Sequence, residues 1–307
     1  VNVVAQYGAA TNQEHLTVPK PCMIIASADH GVADMGVSAY PKETTVGMTQ
    51  NYLIPKGAGA NSLANYCGAQ MEVIDMGIDA DMSWVPGLRS HKLGMGTKNF
   101  VEEPAMTREQ AIEGIETGIR LVKEKIVEGF NVFLVGEMGI SNTTASALMT
   151  AKFAGLTAEE ATGRGTNISD ERLKLKQRIV RDVLEKYKDI PKDDAIGILS
   201  SVGGFEFACI VGVILGAAAN NGLVIIDGFN TSACALVAKT LVPVVMDYVM
   251  ASHLSAEKAA KSSLANLGLE AYVDLGLCLG EASGSSVQMG MLDLAVYMYL
   301  AITGGKA

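Results

Sequence analysis

Five short apolar runs rich in Val, Ile and Leu punctuate the chain, at residues 23–28, 71–76, 132–135, 195–199 and 223–226. Each is closed by Gly, Asp, Asn or Ser and gives way to a segment of helical periodicity, such as 108–130 or 169–188. An apolar run without alternation is a strand buried on both faces. Strands of that kind separated by helices imply an α/β fold with a parallel sheet covered on each side. At 307 residues the chain is long enough to bury such a core in one large domain, with or without a smaller satellite.

Several functions are disfavoured by composition. The net charge is −9 and no cluster of Lys and Arg is present, so no nucleic-acid partner is expected. The longest apolar run, residues 207–219, is shorter than the roughly 20 residues of a spanning helix, and reads as a core helix with no membrane role. Five scattered cysteines among apolar neighbours read as small buried hydrophobes in a reducing compartment. With no charged-then-apolar leader, a cytoplasmic location is expected. His15, His30, His91 and His253 share no metal-ligand spacing, so no metal and no cofactor is expected.

Ligands of open parallel sheets bind beyond the carboxyl ends of the strands, where the reading places Ser27, Asp29, His30, Asp75, Glu137, Ser200, Ser201 and Asp227. Gly136-Glu137-Met138-Gly139-Ile140-Ser141-Asn142-Thr143-Thr144 runs from a strand through a glycine turn into a helix expected to begin near Asn142. Free N–H groups and the positive end of a helix dipole suit an anion there; an ordinary N-cap cluster has the same composition. Ser200-Ser201-Val202-Gly203-Gly204 reads as a second strand-to-helix turn, and Gly163-Arg164-Gly165-Thr166 with Lys176 adds cations near a tight turn. Glu281 stands in a Gly and Ser loop between apolar flanks. Such surroundings raise a carboxyl pKa and suit a general base, while a Glu answering a helix dipole fits the same string.

These strings occur in order with Ala28-Asp29-His30-Gly31-Val32, Gly36-Val37-Ser38-Ala39-Tyr40-Pro41, Gly203-Gly204-Phe205-Glu206, Asp227-Gly228-Phe229 and Leu279-Gly280-Glu281. Together they resemble the nicotinate-nucleotide:dimethylbenzimidazole phosphoribosyltransferases of cobalamin lower-ligand assembly, including a branch that accepts phenol or p-cresol. The resemblance implies a Rossmann-like three-layer parallel sheet spanning residues 20–270, with a smaller helical domain formed by both chain ends, residues 1–19 and 271–307. It implies transfer of ribose 5-phosphate from nicotinate mononucleotide to an aromatic acceptor, a benzimidazole, purine or phenol, with release of nicotinate.

Carried over by motif, Glu281 is the general base and Glu137 the second active-site carboxylate. Gly139, Ile140, Ser141, Asn142, Thr143 and Lys176 hold the phosphate, and Ser201, Gly203 and Gly204 lie along the nucleotide. Ser38, Tyr40 and Met138 form the acceptor pocket. The expected partner is a second copy or a paralogue, in a homodimer or heterodimer. The alternative is a non-catalytic or weakly active paralogue supporting such an enzyme. Ser141 and Asn167 stand where the family pattern has glycine.

Overall fold

The computed structural model describes residues 2–165 and 167–304. Its strands are β1 (Pro21–Ala28), β2 (Gln70–Gly77), β3 (Arg89–Ser90), β4 (Val132–Met138), β5 (Leu223–Ile226) and β6 (Val249–Ala251). They form one parallel sheet in the order β3-β2-β1-β4-β5-β6. The chain runs outward from β1 on one side and returns to build β4, β5 and β6 on the other. A crevice therefore opens beyond the carboxyl ends of β1 and β4, the switch point of a doubly wound sheet.

The helices are α1 (Asn2–Ala10), α2 (Thr44–Leu53), α3 (Gly59–Tyr66), α4 (Arg108–Val127), α5 (Asn142–Ala154), α6 (Ala158–Ala161), α7 (Asp170–Lys186), α8 (Ala195–Val202), α9 (Phe205–Ala219), α10 (Phe229–Leu241), α11 (Ala260–Leu267) and α12 (Ser283–Thr303). Side chains along β1 alternate between two separate cores. Met23 and Ile25 pack with Tyr7 of α1, Tyr52 of α2, Ala60 of α3 and Met289, Leu292 and Val296 of α12. Ile24 and Ala26 face the larger core, with Ile115 of α4, Leu148 of α5, Leu199 of α8, Phe207 of α9 and Val237 of α10. Both faces of every central strand are thus dry, which is why β1 and β4 are apolar without alternation.

One expected strand is absent. Residues 195–199 belong to helix α8, started by Asp194, whose carboxylate accepts from Gly197 N at 2.9 Å. A helix buried on all sides is as continuously apolar as a buried strand; here the capping Asp194 carried the distinguishing signal. Ser200-Ser201-Val202-Gly203-Gly204 is accordingly a helix-to-helix turn. β3 and β6, two and three residues long, are too short to leave a pattern.

Residues 207–219 do lie in a core helix, α9, which meets α4 backbone to backbone. A Cβ on Gly212 would stand 1.9 Å from the Ile115 carbonyl, and one on Gly118 2.1 Å from the Cys209 carbonyl. Gly212→Ala should force these helices apart and lower the unfolding free energy by about 3 kcal/mol, the upper range for overpacking. A denaturant titration with an unchanged midpoint would contradict that contact. At the other end of the chain, α12 has the length and apolar composition of a membrane-crossing helix. Its first turn nevertheless reaches the crevice, and Met289, Leu292, Val296 and Leu300 are buried against the sheet layer.

Candidate active site

A cleft of about 370 Å³ lies at the switch point. Its walls combine the end of β4 and start of α5, the residues following β5 and β6, Tyr40, Thr44 and Met48 near α2, and the loop preceding α12. The volume is that of a small-molecule site.

Glu137, at the end of β4, and Glu281, in the loop before α12, both line the cleft and are both buried. Glu137 accepts from Asn142 Nδ2. Asn142 Oδ1 accepts in turn from Asn230 Nδ2 at 3.0 Å, and Asn230 Oδ1 from Ser146 Oγ at 2.7 Å. This relay fixes the carboxyl's orientation from two helices. Burial, reinforced by Glu206 and Asp227, raises the Glu137 pKa to about 8 against the opposing hydrogen bonds of the two asparagines. Burial also raises Glu281, which has the Asp227 charge nearby and the Tyr52 phenol at its side.

Gly280, Glu281 and Ala282 have φ of 79°, 58° and 59°, a left-handed run in which two residues are not glycine. Each such residue costs about 1–2 kcal/mol. The turn is held down at both ends. Gly136 in β4 lacks the Cβ that would meet Ala282 N at 2.6 Å, and Asp227 Oδ1 accepts from Gly284 N at 2.6 Å and Ser285 N at 3.1 Å. Strain secured in this way aims Glu281 into the cleft.

Gly139, Ile140, Asn142 and Thr143 also line the wall, with α5 starting at Asn142 as expected. Thr143 Oγ1 accepts from Lys176 Nζ at 2.7 Å. Lys176 stands behind Thr143, outside the cleft lining and 2% exposed, and burial lowers its pKa to about 8, opposed by Glu257. A dianion bound at this turn would stabilise the ammonium, so anion affinity there should be full below pH 8 and decline as pH rises through that value. Calorimetric titration with a nucleoside monophosphate across pH 6.5–9.5 checks the sign.

Ser141 shapes the turn from outside the lining, at φ 77°. Asn167 has φ 70°. Both departures from glycine thus occupy left-handed positions, which explains the glycine pattern there. Of the acceptor residues, Tyr40 and Met138 line the cleft. Ser38 does not: its hydroxyl accepts from Tyr40 N at 3.3 Å and its carbonyl from Arg172 at 2.8 Å, so it braces the loop.

Ser201, Gly203 and Gly204 also lie outside the lining, because α8 replaces the expected strand end. Ser201 faces residues of α5 and α7, while Gly204 backs onto His30 and Glu206, a fully buried pair 2.6 Å apart. Cys278, expected as a buried hydrophobe, is exposed on the cleft loop. Thr166 lies outside the described residues. Sequence reasoning passed over Asn230, His253, Ser255 and Glu257, which the structure adds to the wall. Asn230 alone had a visible signal, directly following Asp227-Gly228-Phe229.

Fold and site together define a Rossmann-type α/β enzyme whose switch-point cleft is lined by a strand-to-helix glycine turn and two buried carboxyl groups. A family described as "Phosphoribosyltransferase" matches residues 1–304. Nicotinate-nucleotide–dimethylbenzimidazole phosphoribosyltransferases of Geobacter sulfurreducens and Geobacter metallireducens are 45% and 44% identical to this chain, each over 90% of it and 78% of their own length. The crystal structure of CobT from Thermus thermophilus superposes with a TM-score of 0.92 at 33% identity, covering 99% of this chain and 92% of that one. The chain belongs to the nicotinate-nucleotide–dimethylbenzimidazole phosphoribosyltransferase family, and is a transferase of the glycosyltransferase type.

Proposed function

We propose that this enzyme transfers ribose 5-phosphate from nicotinate mononucleotide to a benzimidazole-type aromatic base, giving an α-ribotide and nicotinate. The observation that carries this reading is one cleft lined by Gly139, Ile140 and Thr143, with Lys176 bonded behind Thr143, and by the carboxyls of Glu137 and Glu281. The donor phosphate occupies the cradle of the Gly139–Thr143 turn, bringing the anomeric carbon toward the carboxylates. The donor's nitrogen is already a pyridinium, so the C–N bond breaks to release neutral-ring nicotinate without an acid. The acceptor nitrogen forms the new bond on the opposite face, and Glu281 takes the proton that the acceptor loses. Glu137, protonated near neutrality at its pKa of about 8, helps arrange that base and the substrates. Apolar walls from Tyr40, Met48, Met138, Leu277 and Leu279 suit a flat aromatic acceptor.

Assembly follows from α12. Leu294, Tyr297, Met298 and Ile302 are exposed on one helix packed beside α1, and we take this terminal pair as the smaller unit and its bare face as the contact with a second copy. Ultracentrifugation should give a dimer, and Leu294→Glu should shift it to monomer; a heterodimer would appear only when a paralogue is added.

Nicotinate release from the mononucleotide, measured with benzimidazole, adenine or phenol supplied in turn, tests donor and acceptor together. Release is expected with benzimidazole and absent without acceptor. Failure with every acceptor would overturn the reading.

A further inference from the structure

His253 lines the cleft and takes no part in the chemistry above. It follows β6, is 4% exposed, and its Nδ1 lies 2.9 Å from Ser252 Oγ. The same hydroxyl donates to the Asp227 carbonyl at 2.9 Å. A carbonyl only accepts, and a hydroxyl has one proton. Toward the ring, Ser252 Oγ therefore presents lone pairs, and Nδ1 carries the hydrogen. Burial holds the His253 pKa below the ordinary histidine value, opposed by Asp227 and Asp274, which keeps the ring neutral. A neutral imidazole with its hydrogen on Nδ1 has a bare lone pair on Nε2.

The ring packs against the backbone of Gly284, where an added Cβ would stand 1.8 Å from Nδ1, and the Ser252 bond holds it there. Nε2 faces Gly228, another cleft residue, 3.6 Å from where its Cβ would be. Among the described residues, the hydrogen bonds of His253's side chain end at Ser252, and none reaches Nε2. The cleft thus contains a fixed acceptor nitrogen without a donor.

Its place along the cleft selects the donor. His253, Ser255 and Glu257 all line the wall. Glu257 reaches the Gly163–Gly165 turn beside Thr143 and Lys176, whereas His253 backs onto Gly284, just beyond Glu281. A lone pair there repels phosphate and carboxylate, and accepts from a hydroxyl. Between the phosphate and the anomeric carbon of a ribose phosphate, the free hydroxyls are those at C2′ and C3′.

Resting on the donor assignment above, we infer that His253 Nε2 accepts a hydrogen bond from a ribose hydroxyl of the nucleotide donor. It is a substrate-binding residue that fixes the sugar between cradle and carboxylates.

The test pairs protein and substrate changes. Nicotinate mononucleotide and its 2′-deoxy and 3′-deoxy analogues are titrated calorimetrically and turned over with the wild-type enzyme, His253→Ala and His253→Gln. One analogue should bind the wild-type enzyme roughly tenfold more weakly than the parent. His253→Ala should show a similar loss on the parent and almost no further loss on that analogue. His253→Gln, whose carboxamide oxygen accepts, should recover most of the parent's affinity. Equal wild-type affinity for all three nucleotides overturns the inference without any variant, as does an alanine penalty of the same size on all three. If the wild-type enzyme fails to bind the parent nucleotide, the donor assignment itself falls.

Discussion

Glu281→Gln should lower kcat by roughly 10²- to 10⁴-fold, the range for loss of a general base, with little change in affinity for nicotinate mononucleotide. Glutamine is close in size and keeps the turn's packing, but it cannot take the acceptor's proton. Burial raises the Glu281 pKa, and only the ionised carboxylate is a base. Wild-type turnover should therefore increase as pH rises through that raised pKa, and this ascending limb should vanish in the variant. A residual turnover equal to wild type would mean that the chain serves only as the partner of an active subunit. Single-turnover nicotinate release, with donor binding measured separately, distinguishes the two outcomes.

Lys176→Met should weaken nicotinate mononucleotide binding by about 100-fold, since a charge-assisted contact with a phosphate in a buried site is worth about 1.5–3 kcal/mol. The same change should leave the empty protein at least as stable. The folded-state pKa of Lys176 is lowered from 10.5 to about 8, so the unfolded chain binds this proton more tightly. The resulting cost to folding is about 3 kcal/mol at pH 7. It is complete below pH 8, shrinks as pH rises from 8 to 10.5, and is absent above that. Methionine fills the same volume without a charge to desolvate. Thermal melting at pH 7 should show an unchanged or higher midpoint alongside the lost affinity. A lower midpoint with donor affinity intact would assign Lys176 to structure and remove it from the phosphate cradle.

The two variants probe different parts of the site, and the physical reasons for their effects differ. Glu281 depends on a strained loop. Its left-handed turn persists because Gly136 leaves space beneath it and Asp227 accepts from the first N–H groups of α12. Lys176 depends on burial, which makes its charge costly to the empty protein and available to an anion.

Much of this was legible in the chain. Continuous apolar runs marked β1, β4 and β5 because each is dry on both faces, and β2 because its second half is. The turn from Glu137 to Thr143 announced a helix start beyond a strand, and α5 begins there. Apolarity misled at α8, where a helix buried on all sides lacks the polar face that periodicity needs. That error also misplaced Ser201 and the glycines after it, since the end of α8 turns Ser201 toward α5 and α7 and Gly204 toward the His30–Glu206 pair.

By itself, the sequence determined the parallel α/β class, the strand-to-helix junction at Asn142, and the two glutamates of the cleft. These are local facts, written in runs of neighbours and in the residue types that a turn tolerates. Only the tertiary structure decided which side chains face one another. It brought Asn230 to Asn142, Lys176 to Thr143, and His253 into the cleft wall with Glu137 and Glu281. These partners are separated by tens to more than a hundred positions in the chain. Their proximity depends on the order in which parallel strands pair, and on burial that shifts the charge of each group.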